Sequence, residues 1–223
     1  MYYFLHYTSL PPSKYHAADN RLVRISYAKT LIPALVVGYL IPTIGMYSPS
    51  FSLDTRQEFN FIWQFFPLWT TLLSGLFARL VKDTTQEDKI KNVTADLPYL
   101  RATYAFVGLV SAAAYLYVYA ISPFPIWEIF LSSVKDPSAA IESLTEGMGR
   151  FLKYDYLFAF VSGAVWILLS FWDLKKDGRL HAGWTKILGS MGVVTVACGP
   201  GTMMAVMWAW REEILARKEV QKA

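Results

Sequence analysis

Tyr154 to Arg179 reads YDYLFAFVSGAVWILLSFWDLKKDGR, and its middle decides the class of the whole chain. Between Leu157 and Trp172 no charged residue occurs in sixteen positions. At about 1.5 Å of rise per residue, that length covers most of a bilayer core of about 30 Å. The pattern predicts a membrane-spanning helix that ends on an acid, Asp173. Counting back from Asp173 by three and four residues gives Ser170 or Leu169, Trp166, Ser162, Phe158 and Asp155. Such a stripe of acid, hydroxyl and aromatic predicts a helix side that faces protein or a pocket rather than lipid.

Composition extends the reading outward. The 223 residues are 54% hydrophobic and 16% aromatic, with a mean hydropathy of +0.30, too apolar for an ordinary soluble domain. The chain reads as one all-α integral membrane domain over 1–223, a helical bundle of about five spans with amphipathic interfacial helices. The spans fall at about 31–47, 59–80, 102–122, 154–172 and 184–210, after a juxtamembrane segment over 1–28. A lone cysteine, Cys198, leaves no disulfide framework and no cysteine metal site within the chain. The net charge of +4 sits beside apolar segments, so membrane lipids, not nucleic acid, are the partner it implies.

Several segments carry internal punctuation. Ser13 is placed to cap a helix over 14–28, with His16, Asp19 and Asn20 on one face. Pro33 and Pro42 interrupt the first span, which a membrane helix tolerates when neighbours satisfy the freed carbonyls. Gly108 and Ala112 form a small-residue contact in the third span, and Pro200 predicts a kink in the fifth. Residues 82–100 are polar and read as a solvated loop. In the longer connection, Ile141, Leu144, Met148 and Phe151 recur at helical spacing, the mark of an amphipathic segment on the membrane surface. Of the 21 Lys and Arg residues, thirteen fall on the side of the N-terminus and eight opposite. The positive-inside rule then predicts a cytosolic N-terminus.

The chemistry is narrowed by what is missing. Neither DDxxD nor NxxxDxxxD occurs, so the carboxylate clusters that hold magnesium on a diphosphate are absent. Neither G-x-x-x-x-G-K, G-x-G-x-x-G, H-E-x-x-H nor G-x-S-x-G is found, and the three histidines are scattered. The expectation is an enzyme with no metal and no cofactor. What remains are carboxyls next to aromatic rings: Asp173 after Trp172, Glu128 after Trp127, and Glu212 and Glu213 after Trp208 and Trp210. A carboxyl buried among apolar rings favours its protonated form and can deliver a proton to an alkene or epoxide. Aromatic faces then stabilise the carbocation, by about 0.5–2 kcal/mol each. Plainer readings stand beside this one. Asp173 precedes Lys175 and Lys176 and fits an interfacial ion pair. Glu212 and Glu213 fit a solvated helix end, His16 and Asp19 fit a surface pair, and the Trp and Tyr stripes fit packing or an interfacial belt.

The segments KYHAADNRL (14–22), FWDLK (171–175) and CGPGTMMAVMWAWREEIL (198–215) resemble the small membrane-bound terpene cyclases of fungal meroterpenoid pathways, of the ascofuranone, ascochlorin and macrophorin type. Those proteins extend further at the N-terminus, so the resemblance implies a shortened member. It also implies metal-independent, proton-initiated cyclisation of a farnesyl chain on an aromatic or quinone-like head, in the endoplasmic reticulum membrane. In that reading Asp173 is the proton donor, with Glu128 and Glu212 as further candidate acids. Trp166, Trp172 and Tyr115 shield the cation, Asn20 lines the substrate site, and His16 or Asp19 orients the acid or takes the final proton. The partner is then a lipophilic small molecule entering from the bilayer. The alternative is a non-catalytic scaffold or carrier in the same kind of pathway.

Overall fold

A computed structural model describes residues 23–84, 92, 94–125, 141 and 143–220. These residues are helical with no strand among them, the all-α membrane architecture expected from composition. They fall into two compact units, divided between Thr103 and Tyr104 and again between Leu215 and Ala216.

The first unit holds α1 (Ile25–Leu35), a π-helical segment (Val36–Leu40), α2 (Ile41–Tyr47), α3 (Leu53–Gln64), α4 (Phe66–Leu80) and the start of α5 (Leu97–Ile121). The α1, π and α2 segments run on as one helix of 23 residues, Ile25–Tyr47, starting six residues before the expected span. The wide turn falls between Pro33 and Pro42. Each proline lacks an N–H and crowds the preceding turn, and a π segment relieves that crowding without ending the helix.

Small residues at fourfold spacing, Ser26, Thr30, Ala34 and Gly38, are buried along this helix and let α4 come close. A Cβ on Gly38 would lie 3.0 Å from Thr70 Cγ2, and one on Gly45 would lie 2.6 Å from the Phe59 ring. The second expected span is bent by 69° between α3 and α4, at Phe65. Pro67 opens α4, and the indole Nε1 of Trp69 donates to the carbonyl of Ile62 at 3.0 Å, satisfying a backbone group at the break.

The other unit holds the rest of α5 with α6 (Leu144–Lys176), α7 (Trp184–Cys198) and α8 (Pro200–Val220) as far as Leu215. The amphipathic stretch and the fourth span are not separate, because α6 runs through both for 33 residues, about 50 Å. Ser143 starts it, accepting from the N–H of Glu146 at 3.2 Å, and Glu146 three residues on completes the cap sequence. Gly178, at φ 64°, ends it as Arg179 N–H returns to the Leu174 carbonyl. The fifth expected span is divided outright. Gly199 takes φ 88° and Pro200 begins a new helix.

Three described helices, Ile25–Tyr47, Leu97–Ile121 and Leu144–Lys176, are long and apolar enough to cross a membrane. The bent pair α3 and α4 makes a fourth if counted as one span, and Trp184–Cys198 is short. About five spans were expected, the fifth kinked at Pro200; the bend at Phe65 and the full break at Gly199 account for the difference.

Candidate functional site

The packed face of α6 is set by Ile167, Phe171 and Leu174, all buried, which meet Ile187 and Met191 of α7 and Met203 and Met207 of α8. Phe171 is fully buried and meets the Trp210 ring edge-on at 5.1 Å between centroids. Asp173 lies beside that face, half-buried, with its Oδ2 removed from solvent. On α8, two residues beyond Trp210, the Glu212 side chain is 13% exposed and accepts from Nη1 of Arg211 at 2.7 Å. Tyr104 of α5 lies within electrostatic reach of both Glu212 and Arg211. The Arg211 guanidinium sits 5.5 Å over the Trp208 ring. Glu212 is therefore an ion-paired, largely enclosed group and not a solvated helix end.

The predicted stripe turns the other way. Phe158, Ser162 and Trp166 are exposed, Trp166 at 59% and Trp172 at 51%. Trp172 lies 6.0 Å from Trp184, with Lys176 over its ring at 5.8 Å and Lys175 over that of Trp184 at 5.7 Å. Indole rings beside lysines at the end of an apolar helix form an interfacial belt. Tyr115 is elsewhere as well. Its phenol donates to the Val196 carbonyl at 3.1 Å, eleven residues along α5 from Tyr104, or about 16 Å. The packed face beside Asp173 thus holds the rings of Phe171 and Trp210, while Trp172, at the same helix end, is half exposed and Trp166 is exposed.

His16, Asp19, Asn20 and Glu128 lie outside the described residues. Among those described, no three His, Cys, Asp or Glu side chains come together as a metal site requires. One acid escaped the sequence reading. Asp96, in the stretch taken for a solvated loop, is fully buried, and its Oδ2 accepts from the Val23 N–H at 2.9 Å. The signal lay in Leu97 and Leu100, buried beside it at helical spacing.

A family model described as CtvD domain matches residues 1–216. The chain is 37% identical over 221 residues to the FAD-dependent monooxygenase anuJ of Penicillium roqueforti, an alignment covering 98% of this chain and 26% of that protein. A second FAD-dependent monooxygenase, from Botryotinia fuckeliana, is 34% identical over 221 residues, with coverage of 99% and 28%. The terpene cyclase ascI of Acremonium egyptiacum is 28% identical over 232 residues, with coverage of 96% and 58%. The chain thus spans about a quarter of the length of these monooxygenases and somewhat over half that of the cyclase. No solved structure matches. The flavin named in two of these relatives finds no fit here: there is no G-x-G-x-x-G, and no strand among the described residues from which a dinucleotide-binding unit could be built.

Proposed function

The chain belongs to the CtvD domain family, and on that premise we propose that it is a membrane-bound terpene cyclase. It acts on a prenyl, farnesyl-length chain carried by an aromatic or quinone-like head, in a fungal endoplasmic reticulum membrane. The observation that carries the reading is the acid of α6: Asp173, with one oxygen shielded from solvent, next to an aromatic and apolar core in a unit that contains a membrane-spanning helix. Relatives named terpene cyclases, aligned over most of this chain, support the same class.

In the proposed reaction Asp173 gives its proton to the oxygen of a terminal epoxide. The C–O bond breaks toward the more substituted carbon, and the double bonds of the chain add to the cation in turn, each forming a C–C bond. Loss of a proton from the last cation ends the sequence, with His16 or Asp19 as the proposed acceptor. Substrate and product have the same mass. Trp210 supplies an aromatic face for the passing charge, while the Trp208 ring is taken by the Arg211 guanidinium.

The long relatives favour the epoxide over the alkene as the starting group. In them a segment like this chain is joined to about three times its length of further sequence, in proteins named as monooxygenases. Oxygen insertion is the chemistry that makes an epoxide, so supply and consumption of the substrate would share one polypeptide.

Replacing Asp173 tests the assignment. A general acid contributes about 10²–10⁴-fold, so Asp173→Asn should lower product formation by at least about 100-fold while immunoblots show undiminished protein in the membrane fraction. Full turnover by the Asn variant would remove Asp173 from the chemistry. A drop in activity that only follows a drop in protein would make it structural.

A further inference from the structure

Between the start of α1 and the last turns of α4 lies a groove of about 510 Å³ lined by Arg24, Tyr27, Thr71, Leu72, Gly75, Leu76, Ala78 and Arg79. Its chemistry is divided. Leu72, Leu76 and Ala78 are its apolar lining, and its two guanidiniums come from Arg24 just before α1 and Arg79 in the last turn of α4, with Thr71 about two turns earlier. A Cβ on Gly75 would sit 3.8 Å from the Tyr27 hydroxyl, an ordinary contact, so Tyr27 lies close against α4 at this point. Arg24 is braced from two sides: its Nε donates to Asp83 Oδ2 at 2.5 Å, and its guanidinium lies 5.5 Å over the Tyr27 ring. The hydrogen bond and charge of Asp83 raise the Arg24 guanidinium above its ordinary value. Arg79, in the last turn of α4, is exposed and makes no ion pair among the described residues.

Among the described residues the groove therefore has one guanidinium, that of Arg79, beyond the Arg24–Asp83 pair, where α1 begins and α4 ends. On the orientation expected from the Lys and Arg count, the start of α1 and the end of α4 lie at the headgroups of the cytosolic leaflet, whose lipids are anionic. We propose that the groove between α1 and α4 holds the headgroup of an anionic phospholipid, its phosphate on Arg79 and Arg24 and an acyl chain along Leu72 and Leu76. Guanidinium groups suit a phosphate because their donors are fixed in a fork. This site is independent of the acid on α6 and of the proposed reaction.

Native mass spectrometry of the full chain in detergent, titrated with phosphatidylserine, phosphatidylcholine or inorganic phosphate, tests this. Phosphatidylserine should give a retained adduct in excess over phosphatidylcholine. A basic residue facing an anionic lipid surface is worth about fivefold in binding, so Arg79→Gln should weaken the adduct by about that factor. Arg79→Lys should keep most of it, and Arg217→Gln, outside the groove, should leave it unchanged. Because Arg79 and Arg217 are exposed, thermal unfolding of each variant should match that of the unsubstituted chain. Equal binding of the two lipids, an undiminished adduct in Arg79→Gln, or an equal loss in Arg217→Gln would overturn the proposal. So would displacement of the lipid by inorganic phosphate, which would make the groove a site for a soluble anion.

Discussion

The phenol of Tyr115 on α5 donates a hydrogen bond to the carbonyl of Val196 on α7, at 3.1 Å, and its ring lies against Gly199 where the chain breaks into α8. Two helices are pinned at their junction by a residue from a third. Nearby, Thr202 donates to the Cys198 carbonyl at 2.8 Å and to the Gly108 carbonyl at 3.1 Å, so α5 also holds the far side of the break. Tyr115 is a structural brace in this arrangement.

Gly199 is the residue this brace cannot do without. Its φ of 88° is reserved for glycine, and a Cβ would lie 2.7 Å from the Tyr115 ring. Gly199→Ala should cost about 3 kcal/mol, read as a loss of folded protein in a thermal-stability assay on solubilised membranes. Tyr115→Phe should cost only about 1 kcal/mol and leave turnover per folded molecule unchanged. A wild-type melting curve for Gly199→Ala would contradict the account of the break.

Neighbouring aromatics on α6 should behave oppositely. Phe171→Ala removes a fully buried ring from the core and should destabilise by about 3–5 kcal/mol. Trp172→Ala removes a half-exposed ring at the interfacial belt and should cost less than about 1 kcal/mol. The ranking of the two variants by membrane abundance checks which face of the helix is packed.

Asp96 ties the start of α5 to the backbone just before α1. Asp96→Ala leaves the Val23 N–H without its acceptor and should cost about 1–3 kcal/mol. Faster proteolysis of the N-terminal segment in the variant, at an otherwise intact chain, is the expected readout. Unchanged protease resistance would show that the buried carboxylate is dispensable.

These residues also show what was legible in the sequence. Apolar length gave away the class and the approximate positions of the helices, since a run such as Leu157 to Trp172 has few other uses. Which face of a helix is packed was not legible. Lipid tails are as apolar as leucine, so the Trp166 side and the Phe171 side of α6 look alike in hydrophobicity, and the stripe through Asp155, Phe158 and Ser162 was assigned to protein when it faces outward. Helix breaks were half legible. Pro200 signalled a kink, but the full break comes from the φ of Gly199, held by a ring 84 positions earlier in the chain. Asp96 was missed because a polar flank hides a single buried acid until the helices around it are assembled. Of the candidate acids, Asp173 was put forward from its place at the end of an apolar run, and Glu212 from its tryptophan neighbours.

The central claim is that an acid at the end of an apolar helix drives an isomerisation. The most direct measurement is the mass of the product when microsomes carrying the full chain receive a farnesylated phenol with a terminal epoxide, without added metal or nucleotide. The account predicts a new chromatographic peak of unchanged mass, absent from membranes carrying Asp173→Asn. A product heavier by one water, a product heavier by one oxygen that forms only with a reduced nicotinamide, or no product from folded protein would contradict it.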